Sequence, residues 1–264
     1  ILTPFKILLI NCRLLVAPVE LTWDYSFNHV TAVSSLGDGS AWVGISIAAL
    51  LGALLIWAWR RDAALAGCLA LSAASYSVIS NMVFLSTIIM AERLLYLPSA
   101  FLFSALVLFG LRVWPGGDAP WLRRALIGGL ILVSLGYSAR TLVRIPEWRD
   151  GLTLAEAGVR VAPDSAKSRS LLGLELVAAG RSEDAVPHLR TSLALDPTNE
   201  VAHFHLGLAF YRIGQTESAF HAWEAALLTS NGTHHDARAA LCTAALEERR
   251  KELLMRWCPI GGDR

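Results

Sequence analysis

The sequence predicts an all-α protein in two parts, a polytopic bundle of transmembrane helices followed by a short α-solenoid of helical hairpins. Three observations carry that expectation. Hydrophobic residues make up 54% of the chain and charged residues only 17%, short of the roughly 25% charged in an ordinary soluble domain. The apolar residues gather ahead of about residue 145 in charge-free runs of membrane-spanning length. Beyond that point the composition turns water-soluble and the sequence repeats itself. The expected domains are therefore 1–145 for the membrane part and 146–264 for the repeats.

The first clear span is 41–59, uncharged and rich in Leu, Ile, Ala and Gly. At about 1.5 Å per residue it crosses about 30 Å of hydrocarbon. Residues 63–91 are uncharged as well, but one helix of that length would run about 43 Å. The stretch should break at the polar cluster Ser77, Ser80 and Asn81, giving a span over 63–80 and a segment that returns to the interface. The next spans are 94–111 and 125–143, with Arg140 near the end of the last one reaching for the headgroups.

Loops that keep Lys and Arg face the cytoplasm. Arg60 and Arg61 fall in one loop, and Arg112, Arg123 and Arg124 in another two spans later. The opposite loops hold Asp24, Asp38 and Glu92 with Arg93 as their cation, so they face the exterior, periplasm or lumen. Arg144 and Arg149 count mildly against this orientation. If the spans alternate, everything after about residue 145 is exterior too.

In the soluble part, aligning Gly180 with Gly214 gives a period of 34, the length of a tetratricopeptide repeat. Leu172, Gly173, Leu176, Gly180, Ala185, Leu189 and Pro197 take the small and apolar positions in one copy. Leu206, Gly207, Phe210, Gly214, Ala219, Trp223 and Ala226 take them in the next. Small residues let two antiparallel helices approach, and the Gly ends the first of each pair. Repeats are expected over about 166–199 and 200–233, with a degenerate half repeat before them and one capping helix, 236–257, after them. The groove should be lined by Lys167, Ser170 and Leu174, then by Phe204, Leu208, Tyr211 and Arg212, the candidate partner contacts.

Net charge is +1, so nothing points to a nucleic acid. The cysteines Cys12, Cys68, Cys242 and Cys258 form no CxxC pair. Cys242 and Cys258 would stand about 24 Å apart on one continuous helix, so only a fold-back could join them, and they are expected reduced. His203, His205, His234 and His235 do not converge on a ligand set. No metal site and no cofactor are identified, and a divalent metal stays open.

The run Met90-Ala91-Glu92-Arg93-Leu94-Leu95-Tyr96-Leu97-Pro98-Ser99 places an acid and a base at the mouth of a span, where charge is costly unless paired or wet. With Leu21-Thr22-Trp23-Asp24-Tyr25-Ser26 upstream and Glu147-Trp148 leading into the repeats, it resembles the transmembrane and tetratricopeptide-repeat O-mannosyltransferases and their bacterial relatives. These belong to the C-type superfamily of polyprenyl-phosphate-sugar-dependent glycosyltransferases. The resemblance covers nearly the whole chain, and the Glu-Arg-Leu-Leu-Tyr-Leu-Pro-Ser run is its specific part.

The resemblance implies transfer of a sugar from a polyprenyl-phosphate donor to a protein or other acceptor on the exterior face. The membrane is the endoplasmic reticulum in a eukaryote or the inner membrane in a bacterium. In such enzymes an acidic residue of the first exterior loop is the base. The chain opens at Ile1 inside an apolar stretch, reads as a C-terminal fragment, and is expected to begin downstream of that loop. Arg93 would then offer its guanidinium fork to the donor phosphate, with Glu92 orienting it or binding a sugar hydroxyl. Arg13 and Tyr96 are further candidate donor contacts, and Asp24 joins Glu92 as a candidate carboxylate. Each has a plainer reading. Glu92 and Arg93 make an interfacial ion pair, Arg13 snorkels, Asp24 is a solvated loop residue or helix cap, and Tyr96 is an interfacial anchor. Two other functions fit the same architecture, a non-catalytic membrane scaffold that presents repeats to a partner and a ligase or polymerase of lipid-linked glycans.

Overall fold

The computed structural model describes residues 2–18, 21, 25, 32–33, 35, 37, 39–80, 92–113 and 120–258, and among them the chain is all-α with no strand. It divides into two compact units, Ile1–Arg149 and Asp150–Arg264.

In the first unit the helices are α1 (Thr3–Val16), α2 (Gly39–Trp59), α3 (Ala63–Ile79), α4 (Tyr96–Val113) and α5 (Pro120–Arg144). The α2–α3 hairpin turns at Arg60–Asp62, where the Asp62 carboxylate accepts from the backbone N–H of Ala64 at 3.0 Å and of Leu65 at 3.2 Å. That cap supplies partners to two of the donors every helix start leaves open. Ala58, Leu65, Ala66, Leu69 and Ala105 make the buried seam between α2, α3 and α4. Three of the five are alanines, which let the helix backbones approach closely, and Leu65 and Leu69 fill the rest of the seam. The tightest approach is at Gly44, where an added Cβ would stand 1.9 Å from the Phe5 carbonyl oxygen of α1. The sequence reading assigned no helix to 3–16, which α1 now fills.

Among the described residues one helix, α2, is long and apolar enough to cross a membrane, with a mean hydropathy of 2.1 in its best window and 17% of that window buried. α3 and the stretch Tyr96–Gly110 of α4 are apolar but shorter. Leu50, Ile56, Trp57 and Trp59 of α2 are exposed, and so are Leu130, Ile131, Leu132, Val133 and Leu135 of α5.

The second unit contains α6 (Gly151–Val161), α7 (Ala166–Ala178), α8 (Ser182–Leu195), α9 (Glu200–Arg212), α10 (Thr216–Thr229), α11 (His235–Glu247) and α12 (Lys251–Trp257). The odd-numbered helices from α7 to α11 start on side-chain caps. Ser165 accepts from Ser168 N–H at 3.1 Å, Asn199 from Ala202 N–H at 3.0 Å, and the His234 ring from Ala237 N–H at 3.2 Å. Gly180 and Gly214 close α7 and α9 with φ of +78° and +80°, a left-handed turn that glycine adopts without steric cost.

The two repeat hairpins, α7–α8 and α9–α10, each pack a large residue of the second helix onto a glycine of the first. A Cβ on Gly173 would meet the Leu189 side chain at 2.4 Å, and one on Gly207 would meet Trp223 at 2.4 Å. Leu189 and Trp223 are 0% and 1% exposed.

Two expectations fail at the end of the array. The single capping helix over 236–257 is a hairpin, because the backbone turns at Arg249 with φ +53° and α12 folds back on α11. Cys242 and Cys258, expected reduced on one straight helix, are consequently 5.8 Å apart at Cα and joined as a disulfide. Leu253, Leu254 and Trp257 drive the fold-back by packing on the repeat core.

Candidate functional site

The Glu-Arg-Leu-Leu run folds as one 3-10 turn, Glu92–Leu95, leading directly into α4. Pro98 sits in the first turn of α4, where its missing N–H costs nothing. Its carbonyl accepts a hydrogen bond from the Ser72 hydroxyl of α3 at 2.9 Å, and Leu95 is 7% exposed. The turn is therefore anchored on one side by a buried leucine and on the next by a tie to α3. Tyr96 is 82% exposed. Of Glu92 and Arg93 the backbone alone is described, and Asp24 lies outside the described residues.

The packing separates two of the candidates. Thr3 Oγ1 accepts from Val33 N–H at 3.1 Å, and Phe5 abuts Gly44, so α1 and α2 begin side by side. α3 runs back along α2, and α4 runs back along α3, with Trp57 of α2 and Phe109 of α4 in edge contact at 6.1 Å. The start of α4, with Glu92 and Arg93, is thus at the end where α1 and α2 begin. Arg13, exposed in the last turn of α1, lies toward the other end, about 15 Å along the helix axis from Thr3 by its rise per residue.

Near Arg13 the structure gathers residues that sequence reasoning passed over. The Tyr137 hydroxyl donates to the Leu15 carbonyl, and Arg140 Nε donates to the Pro18 carbonyl at 3.0 Å. Arg144 pairs with Glu147 at 3.2 Å. Pro18, Tyr137, Arg140 and Arg144 line, with Trp148 and Arg149, a cavity of about 860 Å³. The available signal was the spacing Arg140, Arg144, Arg149, which read as snorkelling and as a minor conflict with loop charge rather than as a cluster.

In the repeats the four predicted groove residues are on α9, half-buried or exposed, and three of them have partners within the unit. The Phe204 carbonyl accepts from Trp223 Nε1 at 3.2 Å, and its ring lies 5.1 Å from that of His234. Tyr211 donates to the Glu247 carboxylate of α11, and Arg212 donates to the Val177 carbonyl of α7. Tyr211 and Arg212 thus tie neighbouring hairpins together. Leu208 packs on the core. Of the earlier helix, Ser170 is buried at 5% and Lys167 is exposed.

Beside Phe204, burial pushes the His205 imidazole down to about 4, with help from His234 and Arg212 and against the pull of Asp236. Its Nδ1 has no hydrogen-bond partner. An unfolded histidine titrates at about 6.5, so the folded repeats favour the neutral ring. Their stability should be intact above pH 6.5 and fall as the pH drops from there toward 4, where the folded state also protonates. Following the far-UV unfolding midpoint of the protein across this window checks the sign. A His205→Phe variant should flatten the profile, and an equally steep profile in that variant would remove His205 as its cause.

A family profile described as TPR repeat matches residues 173–214. Among curated proteins, the chain is similar to protein O-mannosyl-transferase Tmtc1 of Drosophila melanogaster, 37% identical over 48% of this chain and 15% of that one. It is also similar to protein O-mannosyl-transferase TMTC1 of Mus musculus, 30% identical over 78% of this chain and 22% of that one. TMTC1 of Homo sapiens is 31% identical over 78% of this chain and 24% of its own length. The fold and these matches define the class, an all-α protein that joins an apolar helical unit to tetratricopeptide repeats. By sequence the chain belongs to the family of transmembrane and tetratricopeptide-repeat O-mannosyltransferases, and it spans less than a quarter of the length of these relatives.

Proposed function

We propose that this chain is part of a multi-pass membrane glycosyltransferase that moves a sugar, mannose in the first instance, from a polyprenyl-phosphate donor to a protein acceptor on the exterior face. The observation that carries the reading is similarity to protein O-mannosyl-transferases over 78% of the chain, across both units. In this reading Arg93, held at the start of α4, binds and neutralises the donor phosphate, where a planar, permanently charged fork outperforms an ammonium. Glu92 orients Arg93 or takes a sugar hydroxyl, Tyr96 offers its exposed ring to the donor, and Asp24 places donor or acceptor. Arg13, toward the other end of α1, is not assigned to this phosphate. The repeats dock the acceptor.

The membrane part of the proposal takes α3, α4 and α5 as spans beside α2. It is supported by the exposed Leu130, Ile131, Leu132, Val133 and Leu135. Consecutive residues cover the whole circumference of a helix, and a helix that is apolar all round and not buried in protein needs lipid around it. The Cys242–Cys258 disulfide supports an exterior, oxidising location for the repeats. That location is the lumen in a eukaryotic cell and the periplasm in a bacterial one.

Two measurements test the proposal. Membranes carrying the full-length protein should transfer mannose to a protein acceptor from a polyprenyl-phosphate donor; transfer from a sugar nucleotide with none from the lipid donor would refute the donor assignment. Protease added to sealed cells or spheroplasts from outside should cut the repeats, whereas protection would reverse the topology.

A further inference from the structure

The disulfide fastens a short terminal element that also packs Leu253, Leu254 and Trp257 on the repeat core. α12 is 7 residues long and none of them is buried; a helix that short does not persist in water alone. It is entered through Arg249 in a left-handed conformation, φ +53°, which costs a non-glycine residue roughly 1–2 kcal/mol. α12 packs back on α11, with Leu253, Leu254 and Trp257 against the repeat core, and the polar side chains at its two ends reach α10. Arg250 pairs with Glu217 and stands over the Phe220 ring at 5.8 Å. Arg256 reaches Glu224 at 3.3 Å, and Trp257 Nε1 donates to the same carboxylate at 3.0 Å. Glu217, Phe220 and Glu224 are spaced to lie on one face of α10, so α10 presents a phenylalanine between two carboxylates, answered by Arg250 at the N-cap of α12 and by Arg256 and Trp257 within it.

We propose that α12 is a tethered occupant of this α10 face, and that Cys242–Cys258 is a redox latch controlling whether the face is open to an arginine- and tryptophan-bearing helical peptide from a partner. The partner chemistry is read from α12 itself. Carboxylates seven residues apart, two helical turns along one face, select guanidinium forks over lysine ammoniums, and the indole N–H of Trp257 shares Glu224 Oε1 with the Arg256 guanidinium. Both sulfurs are half-buried, not sealed, so a dithiol reductant can reach them. Its thiolate attacks one sulfur of the bridge to form a mixed disulfide and releases the other cysteine as a thiolate. Its second thiol then displaces the remaining cysteine, leaving the reductant oxidised by two electrons and both cysteines reduced. The attraction of α12 for α10 is unchanged, but it now competes with partner peptides.

The probe is a labelled peptide with the sequence of residues 250–257, added to the full-length protein with and without dithiothreitol and to a Cys258→Ser variant. Closing a loop between residues 16 apart constrains the open state by on the order of 100-fold, so hydrogen exchange of the α12 amides should accelerate by about that factor on reduction. Peptide binding should appear in the reduced and Cys258→Ser proteins, be absent in the oxidised protein, and be lost when Glu224→Lys is added to Cys258→Ser. Three results would each overturn the proposal: free thiols at Cys242 and Cys258 in the protein isolated without reductant, unchanged α12 exchange on reduction, or peptide binding that ignores the redox state or Glu224→Lys.

Discussion

Replacing Arg93 by Ala in the full-length protein is expected to lower sugar transfer about 10²–10³-fold, the usual loss when one fixed donor to a developing anion is removed. The protein should still fold and insert, because the turn that carries Arg93 is held by Leu95 and by the Ser72–Pro98 hydrogen bond, neither of which involves the arginine. Arg93→Lys separates charge from geometry. It keeps the cation and loses the bidentate fork, so its rate should fall between those of wild type and Arg93→Ala. Arg13→Ala is the informative companion. If both arginines held one phosphate, the two losses would be similar. With Arg13 toward the opposite end of the unit, its removal should leave transfer close to wild type. Initial rates with a polyprenyl-phosphate-mannose donor decide the matter, and an Arg93→Ala enzyme as fast as wild type would defeat the assignment.

Much of the fold was legible because two signals depend on short-range chemistry. Charge-free runs marked the apolar helices α2, α3 and α4 to within a few residues. The spacing of Gly173, Gly180, Gly207 and Gly214 marked the hairpins, since close helix approach and left-handed turns both select glycine. The array's last hairpin lacked that signal. Adding the period of 34 to Gly214 lands on Glu248, beside the break at Arg249, but no glycine stands there. A reading keyed to residue type carried the helix straight on, and so kept Cys242 from Cys258. The period itself was the better guide, because the packing of Leu253, Leu254 and Trp257 imposes the turn.

The site was less legible than the fold. The Glu92–Arg93 turn stood out in the sequence by its charges at the head of an apolar run and by the resemblance that the run carries, and the structure adds the 3-10 turn that leads into α4. The distance between Arg13 and Arg93 depends on α1 beginning beside α2, which the Gly44–Phe5 approach dictates. That is a long-range fact with no local trace beyond a single glycine. Likewise Tyr211 and Arg212 looked like open groove residues because their positions on α9 are right for it. Their partners, Glu247 and Val177, sit on the hairpins that follow and precede α9.

Trp223→Ala is expected to destabilise the repeats by about 3–5 kcal/mol, the range for truncating a buried aromatic side chain. Trp223 is 1% exposed, its indole N–H is satisfied by the Phe204 carbonyl at 3.2 Å, and it fills the space left by Gly207. Truncation leaves a cavity between α9 and α10 and removes the donor for that carbonyl. The opposite insult, Gly207→Ala, places a methyl against the indole and should cost about 1–3 kcal/mol through overpacking. Because the two residues face each other, the losses should not add. In the Gly207→Ala/Trp223→Ala double variant the new methyl partly fills the vacated volume, giving less destabilisation than the sum of the single changes. Hydrogen exchange of α9 and α10 amides in the full-length protein measures all four states of the cycle. A Trp223→Ala loss below about 1 kcal/mol, or strict additivity, would mean that the glycine and the tryptophan do not meet as the hairpin requires.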